Sequence, residues 1–229
     1  LLDLDCRSES SNLFKEGDSI LQDFGLGITS KLEVDRSSKV LHSEKTGLII
    51  NDASFVVSGD IFLNKEKKVL DLDLVFGLEN ASLENLLGLL PASIIDKKAL
   101  PQTKGDIELD GKIKGDYGKE IYPAIDAALK IKNGEIAYRG MANKLDKVEA
   151  DLTVLIDPSN VEKSFFNLDN CEISSKNTSI KIKVHTSNLM GNTALDANLD
   201  GNIDLSELQK TIPFKEDIKL KGNFDSKLE

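Results

Sequence analysis

The sequence predicts a mainly β protein whose body is a curved, largely antiparallel sheet, either a β-groove or an open barrel or sandwich, with two short amphipathic helices. Three observations support this prediction. Apolar and polar residues alternate strictly over many segments, such as residues 70–76 and 105–114, which is typical of strands with one apolar face. Leucines recur at helical spacing in only two short stretches. A strand–helix–strand unit also occurs twice, which indicates an internal duplication.

The duplicated unit covers about residues 70–115 and recurs at about residues 195–224. Residues 82–86 of the first copy align without a gap with residues 204–208 of the second, and each stretch is followed by an apolar residue and a proline. A loop deletion in the second copy explains its shorter distance from helix to strand. The period is too long and the copies are too few for a short-repeat solenoid.

Each copy predicts one short helix that begins at a capping residue, Ser82 or Asp204, and contains or meets a proline near its end. Helices this short are not stable alone, so we expect each one to lie against the apolar face of the sheet as a cover. The two apolar stripes consist of Leu83, Leu86 and Leu90, and of Leu205, Leu208 and Ile212.

Before the first unit, residues 1–6 predict a strand followed by a polar loop, and turns are expected at residues 35–38 and 64–68. The alternating residues 55–63 predict a further strand between these two turns. These elements precede residues 70–115 without a linker-like segment. The N-terminal part is therefore expected to belong to the same domain.

After the first unit, Asn133-Gly134 is the strongest hairpin signal in the sequence. Residues 148–156 alternate as a strand that ends at Asp157-Pro158, and residues 180–184 predict another strand. No segment rich in proline, glycine and serine divides the chain, so residues 1–229 are expected to form a single domain. Because the chain begins and ends in strand-like sequence, we expect it to be an excised part of a longer protein.

The formal net charge of −10 argues against nucleic acid as a partner and against adsorption to anionic lipid headgroups, because both require a positive surface. The longest apolar run is too short to span a bilayer. Cys6 and Cys171 are compatible with either one disulfide or two free thiols. An apolar ligand remains compatible with all of these properties.

The helices cannot cover all the apolar strand faces. A helix is about 10 Å wide and strands lie about 4.8 Å apart, so two helices cover about four of roughly a dozen strands. The other faces must pack on a second sheet, close into a barrel, or contact something that is not protein. The candidate lining residues of an apolar groove are Leu72, Leu74, Phe76, Ile107, Leu109, Leu129, Ile131, Val154 and Ile182.

The pattern of a calcium-binding loop occurs once, with candidate ligands Asp196, Asn198, Asp200 and Glu207. No helix is predicted before it, so we prefer a strand, a turn at Gly201-Asn202 and a helix capped by Asp204, and expect no metal. His42 and His185 lack a nucleophile at a recognisable spacing. The sequence therefore predicts no catalytic residues, no enzymatic activity and no cofactor.

The repeated unit resembles the AsmA family of Gram-negative envelope proteins. The residues that carry this resemblance are 81–87 with Leu90-Pro91, 105–115, 121–125 through 132–134, and 201–208. It implies an inner-membrane-anchored protein that faces the periplasm, with a β-groove body linked to outer-membrane biogenesis and phospholipid traffic. It provides no catalytic residues.

These observations predict a non-enzymatic envelope protein whose apolar groove binds the acyl chains of a phospholipid, with envelope proteins as further possible partners. The full-length chain is expected to be anchored at the periplasmic face of the inner membrane. The alternative is a closed β-sandwich that serves as a structural or protein-interaction module without lipid binding.

Overall fold

The computed structural model describes residues 1–15, 18–79, 82–89, 102–137, 144–176, 178–204 and 223–228. In these residues, twelve strands form one sheet in which every strand pairs with its neighbours in sequence. All of the pairings are antiparallel. The sheet does not close, so β1 and β12 are its two edges. The prediction of a mainly β, antiparallel, curved sheet is confirmed.

The strands follow the chain as a continuous meander. Their bounds are β1 Leu2–Lys15, β2 Asp18–Asp35, β3 Val40–Ile50, β4 Ala53–Asn64, β5 Val69–Leu78, β6 Gln102–Tyr117, β7 Ala124–Ala137, β8 Leu145–Ile156, β9 Phe165–Ser175, β10 Thr178–Ser187, β11 Ala194–Asp204 and β12 Asn223–Leu228. A helix, α1, occupies Leu83–Leu89 between β5 and β6, and a 3₁₀ turn occupies Val161–Lys163 between β8 and β9.

The prediction of a polar loop after residue 6 is wrong, because β1 continues to Lys15 and β2 already begins at Asp18. The polar stretch stays extended because its backbone pairs with β2, for example Ser8 with Leu26. On an edge strand, serine side chains can also satisfy one another, and Ser11 Oγ donates a hydrogen bond to Ser8 Oγ at 3.0 Å. Alternation of apolar residues is therefore not needed here to form a strand.

The prediction of a hairpin turn at Asn133-Gly134 is also wrong, because both residues lie inside β7. Asn133 has a left-handed φ of 53°, and the pairing with β8 shifts register between Ile131 and Gly134. The two residues form a bulge, which uses the same left-handed backbone as a tight turn. The true reversal after β7 comes later in the chain.

The sheet has little conventional core. Among the residues whose side chains are described, the buried apolar ones are Phe24, Ala53, Val69, Leu83 and Val148. The accessible surface is 15170 Å², whereas a compact protein of this size would expose about 10,000 Å². The described strands form a single layer and do not cover one another, so the closed sandwich is not the observed architecture.

The helix α1 lies at one end of the sheet. Ser82 caps it as predicted, because the Asn85 backbone N–H donates to Ser82 Oγ at 3.2 Å. The Asn85 side chain donates to the carbonyl of Asp52 at 2.7 Å, which ties the helix to the turn between β3 and β4. Leu83 is buried, and Ala53, the first residue of β4, is fully buried. This burial indicates that α1 covers the end of the sheet.

Part of the helix prediction lies outside the described residues. Leu90 and the continuation of the first stripe are not described, and neither are Leu205, Leu208 and Ile212 of the second helix. Asp204, which was expected to cap that second helix, is the last residue of β11, and its backbone N–H donates to Thr178 Oγ1 at 3.2 Å. The cover by the second helix stays a prediction.

Candidate functional site: the apolar face of the sheet

One face of the sheet is apolar from strand to strand. In an antiparallel pair, residues directly opposite each other lie on the same face, so the register identifies the face on every strand. One row of paired residues crosses β6 to β10 through Leu109, Leu129, Leu152, Leu168 and Val184. We call the face that contains this row the apolar face.

All nine residues predicted to line a groove lie on the apolar face, and all nine are half-buried. They are Leu72, Leu74, Phe76, Ile107, Leu109, Leu129, Ile131, Val154 and Ile182. A residue of this size that packed inside a closed core would be almost fully buried. The half-burial therefore means that these side chains contact their neighbours in the sheet and leave their outer surface open.

The apolar face extends further than the prediction, because it continues through the N-terminal strands. A second row runs from Cys6 on β1 through Ile28, Leu48 and Phe55 to Leu78 on β5. Alternation alone could have identified these residues on their own strands. It could not show that they continue the same face, because that depends on the register between strands.

A small polar patch interrupts the apolar face on β2 and β3. Ser30 and Ser43 are buried there, and their hydroxyls lie 2.5 Å and 2.8 Å from Thr46 Oγ1. Each buried serine hydroxyl has a hydrogen-bond partner in Thr46, which offsets part of the cost of burying it. The patch is therefore a small polar area within a face that is otherwise apolar.

Phe76 is held flat on the apolar face by a glycine. Gly111 pairs with Phe76 across β5 and β6, and a Cβ atom at Gly111 would collide with the phenyl ring. The ring can occupy that space only because glycine has no side chain. The ring of Phe76 thus lies over the sheet instead of standing away from it.

The opposite face is polar and is crossed by ion pairs between strands. Lys114 Nζ lies 2.8 Å from Asp73 Oδ2, and Lys132 Nζ lies 2.8 Å from Glu108 Oε1. The hydrogen bond from Lys132 lowers the pKa of Glu108, and the hydrogen bond to Asp73 raises the pKa of Lys114. These groups are exposed, and such pairs contribute little stability. They make this face a solvated surface.

The two histidines lie on the polar face. His42 Nδ1 is 2.7 Å from Asp60 Oδ1, and this hydrogen bond raises the pKa of His42. His185 Nε2 is 3.8 Å from Asp169 Oδ1. Each histidine is therefore next to a carboxylate of a neighbouring strand, as in the other ion pairs of this face.

The two cysteines are free thiols and lie on distant strands. Cys6 is exposed on β1, and Cys171 is half-buried on β9. Burial raises the pKa of the Cys171 thiol. Cys171 pairs with Ala150 and Ile182, so it is part of the apolar face. Of the two possibilities left open by the sequence, the structure has the free thiols.

The alternative calcium loop is not formed by the described residues. Asp196, Asn198 and Asp200 lie in the extended strand β11, opposite His185, Lys183 and Lys181. Alternate residues of a strand are about 6.7 Å apart, so these side chains cannot converge on one ion. No group of three potential metal ligands occurs in the described ranges, and Glu207 lies outside them. The turn expected at Gly201-Asn202 is wrong too, because β11 continues through both residues.

Comparison with known proteins gives no assignment: no family model, no curated protein and no solved structure matches this chain. Within the described ranges, no helix has the length and apolar character needed to cross a bilayer.

Proposed function

We propose that this protein is a non-enzymatic lipid-binding module whose apolar face holds the acyl chains of a phospholipid. The observation that carries the proposal is the apolar face, which crosses the sheet from β1 to β11 with one polar patch on β2 and β3. Apart from α1 at one end, no second layer of described residues covers it. An exposed apolar surface of this extent is unusual for a protein that has no apolar ligand or partner.

The energy available is sufficient for a lipid chain. Covering about 300 Å² of apolar surface contributes about 7 kcal/mol before the entropy of binding is subtracted. The half-buried leucines and isoleucines present this area as a row that runs across the strands. Hydrocarbon chains have no directional requirements, so a surface of aliphatic side chains is sufficient to hold them.

The resemblance of residues 81–87 with Leu90-Pro91, 105–115, 121–125 through 132–134, and 201–208 to the AsmA family extends this proposal to the cell envelope. By that resemblance, the protein acts in outer-membrane biogenesis at the periplasmic face of the inner membrane and contacts other envelope proteins. A groove that carries phospholipid between membranes needs no catalytic groups. The closed-sandwich alternative loses its structural basis, because the described strands form one open sheet.

The proposal is tested by measuring lipid binding to the purified protein and to two variants. Leu109→Lys with Leu129→Lys places two charges on a directly opposed pair of the apolar face. Val75→Lys places a charge at a side chain of the polar face that is 43% exposed. We expect native mass spectrometry to detect bound phospholipid with the parent and with Val75→Lys. We expect at least tenfold weaker binding by the double variant.

Thermal melts establish that the double variant is folded; the long stems of the new lysines can cover apolar surface and keep their ammonium groups in water. Parent protein that neither retains lipid through purification nor takes up added phospholipid would overturn the proposal. So would equal lipid binding by the double variant and the parent.

A further inference from the structure

Five strand connections lie at one end of the sheet, and the first two of them are basic turns. In the meander, β2, β4 and β6 all end on this side, so the turns at 36–39, 65–68 and 118–121 are neighbours. Arg36, Lys39, Lys65 and Lys68 project from the first two turns and are exposed. We call these four residues the basic rim.

The basic rim borders the end of the apolar face. A pocket of about 600 Å³ is lined by Arg36, Lys39 and Lys65 together with Val34, Leu41 and Ile61 of that face. A neighbouring pocket adds Lys68 and Tyr117. Val34 and Tyr117 are each 49% exposed. Apolar contact area and positive charge therefore meet at this end of the sheet.

The four cations of the basic rim have no ion-pair partner among the described residues, although the chain as a whole carries a net charge of −10. Lys67, next to them, is paired with Asp116 at 3.2 Å. Among the described residues that line the two pockets, Asp35 is the only carboxylate, and Glu66 lies exposed in the second turn. Asp35 Oδ1 accepts hydrogen bonds from Ser37 and Ser38 in its own turn, which holds the pKa of Asp35 well below its usual range.

We propose that the basic rim binds the phosphate-bearing headgroup of a net anionic phospholipid whose acyl chains enter the apolar face at this end. This proposal rests on the proposed function. Lysine and arginine donate charge-assisted hydrogen bonds to phosphate oxygens, and their apolar stems can lie along lipid while the charge stays in water. The acidic chain as a whole repels anionic surfaces, so selection must come from this local reversal of charge.

The backbone of the turns provides substitutions that remove charge with little risk to the fold. Lys39 and Lys68 have φ angles of 59° and 55°, in the left-handed region where asparagine is more favourable than lysine. The rim variant therefore combines Arg36→Gln, Lys39→Asn, Lys65→Gln and Lys68→Asn. The matched control removes four exposed lysines of the polar face: Lys31→Gln, Lys112→Gln, Lys130→Gln and Lys183→Gln.

The measurement compares the affinities for phosphatidylglycerol and phosphatidylcholine that carry the same fluorescent acyl chain. We expect the parent and the control variant to bind phosphatidylglycerol with about tenfold higher affinity than phosphatidylcholine. Several solvent-screened ion pairs with the headgroup are sufficient for a difference of this size. The rim variant should lose this preference and bind phosphatidylcholine as the parent does. The preference should also fall in 0.5 M salt, and 50 mM inorganic phosphate should compete only weakly, because it lacks an acyl chain.

A parent that binds both lipids equally, or a rim variant that keeps the preference, would overturn the basic-rim proposal while the proposed function stands. Equal loss of preference in the control variant would also overturn it, because net charge would then be responsible. If inorganic phosphate alone abolishes phosphatidylglycerol binding, the rim is a site for free phosphate. If the parent binds neither lipid, both proposals fail.

Discussion

At Gly59, the backbone of β4 approaches β5 so closely that no other residue fits. Its φ angle is 128°, a conformation that residues with a Cβ rarely adopt. A Cβ atom there would also collide with the carbonyl oxygen of Asp73, which belongs to the backbone and cannot rotate away. Gly59 pairs with Leu74, so this close approach supports the central part of the apolar face.

We therefore expect Gly59→Ala to lower the free energy of unfolding by at least about 2 kcal/mol, from backbone strain and from displacement of β5. Urea denaturation followed by circular dichroism measures this loss. Gly47→Ala is the matched control, because the nearest atom to its Cβ would be the Thr29 carbonyl oxygen at an ordinary 3.7 Å. Similar midpoints for the two variants would contradict this description of the β4–β5 contact.

Asn133 shows how far a single residue can be interpreted from the sequence. Asparagine followed by glycine indicates a left-handed backbone, and Asn133 does have a φ angle of 53°. The same conformation serves a hairpin turn and a bulge equally well. The choice depends on the register of β7 with β8, to which Val148, the partner of Gly134, contributes. The predicted hairpin was therefore wrong, although Asn133 has the left-handed backbone that a tight turn also uses.

At the scale of elements, α1 is short and depends on its packing. It has seven residues, too few for a stable isolated helix. Its first residue, Leu83, is 4% exposed, whereas Leu86 on the same predicted stripe is half-buried. The helix therefore makes its main apolar contact at its N-terminal end, beside the cap at Ser82 and the tether from Asn85 to Asp52.

We expect Leu83→Ala to lower the free energy of unfolding by about 2–4 kcal/mol through the cavity it leaves, and Leu86→Ala to lower it by less. Thermal and urea denaturation of the two variants measure the difference, and each leucine serves as the control for the other. If Leu86→Ala were the more destabilising variant, the helix would have to be anchored through its middle and not through its first residue.

The strands themselves were the most predictable elements. Alternation located β5 and β6, and the turns at 35–38 and 64–68 were placed within a residue of those observed. The polar stretch of β1 was missed because its serines carry no alternating pattern. Its extended form is stabilised by backbone pairing with β2, and the partner of a strand cannot be recognised from that strand alone.

On the scale of the molecule, the two faces of the sheet differ in polarity. Ion pairs such as those of Lys114 and Lys132 cover one surface, and aliphatic side chains cover the other. A protein of this length folded into a compact globule would have a radius of gyration of about 17 Å. Twelve strands at about 4.8 Å spacing make the open sheet about 53 Å wide, whereas a compact globule with that radius of gyration is about 44 Å across.

We therefore expect small-angle X-ray scattering to give a radius of gyration clearly above about 17 Å and an asymmetric distance distribution. A concentration series separates the shape of the monomer from association through the apolar face or the edge strands. A compact, concentration-independent particle near 17 Å would contradict an open single-layer sheet, and it would remove the surface on which lipid binding is proposed.

The sequence by itself determined the mainly β fold class, most of the strands and which side of them is apolar, because these properties depend on the two-residue period of a β-strand. It also identified the shortage of helical cover. The tertiary structure decided the register and the openness of the sheet. Register and openness depend on the hydrogen bonds between one strand and the next, which the alternation within a single strand does not determine. Only the paired strands therefore join the separate apolar stripes into one face and bring the turns of Arg36 and Lys65 to the same end of it.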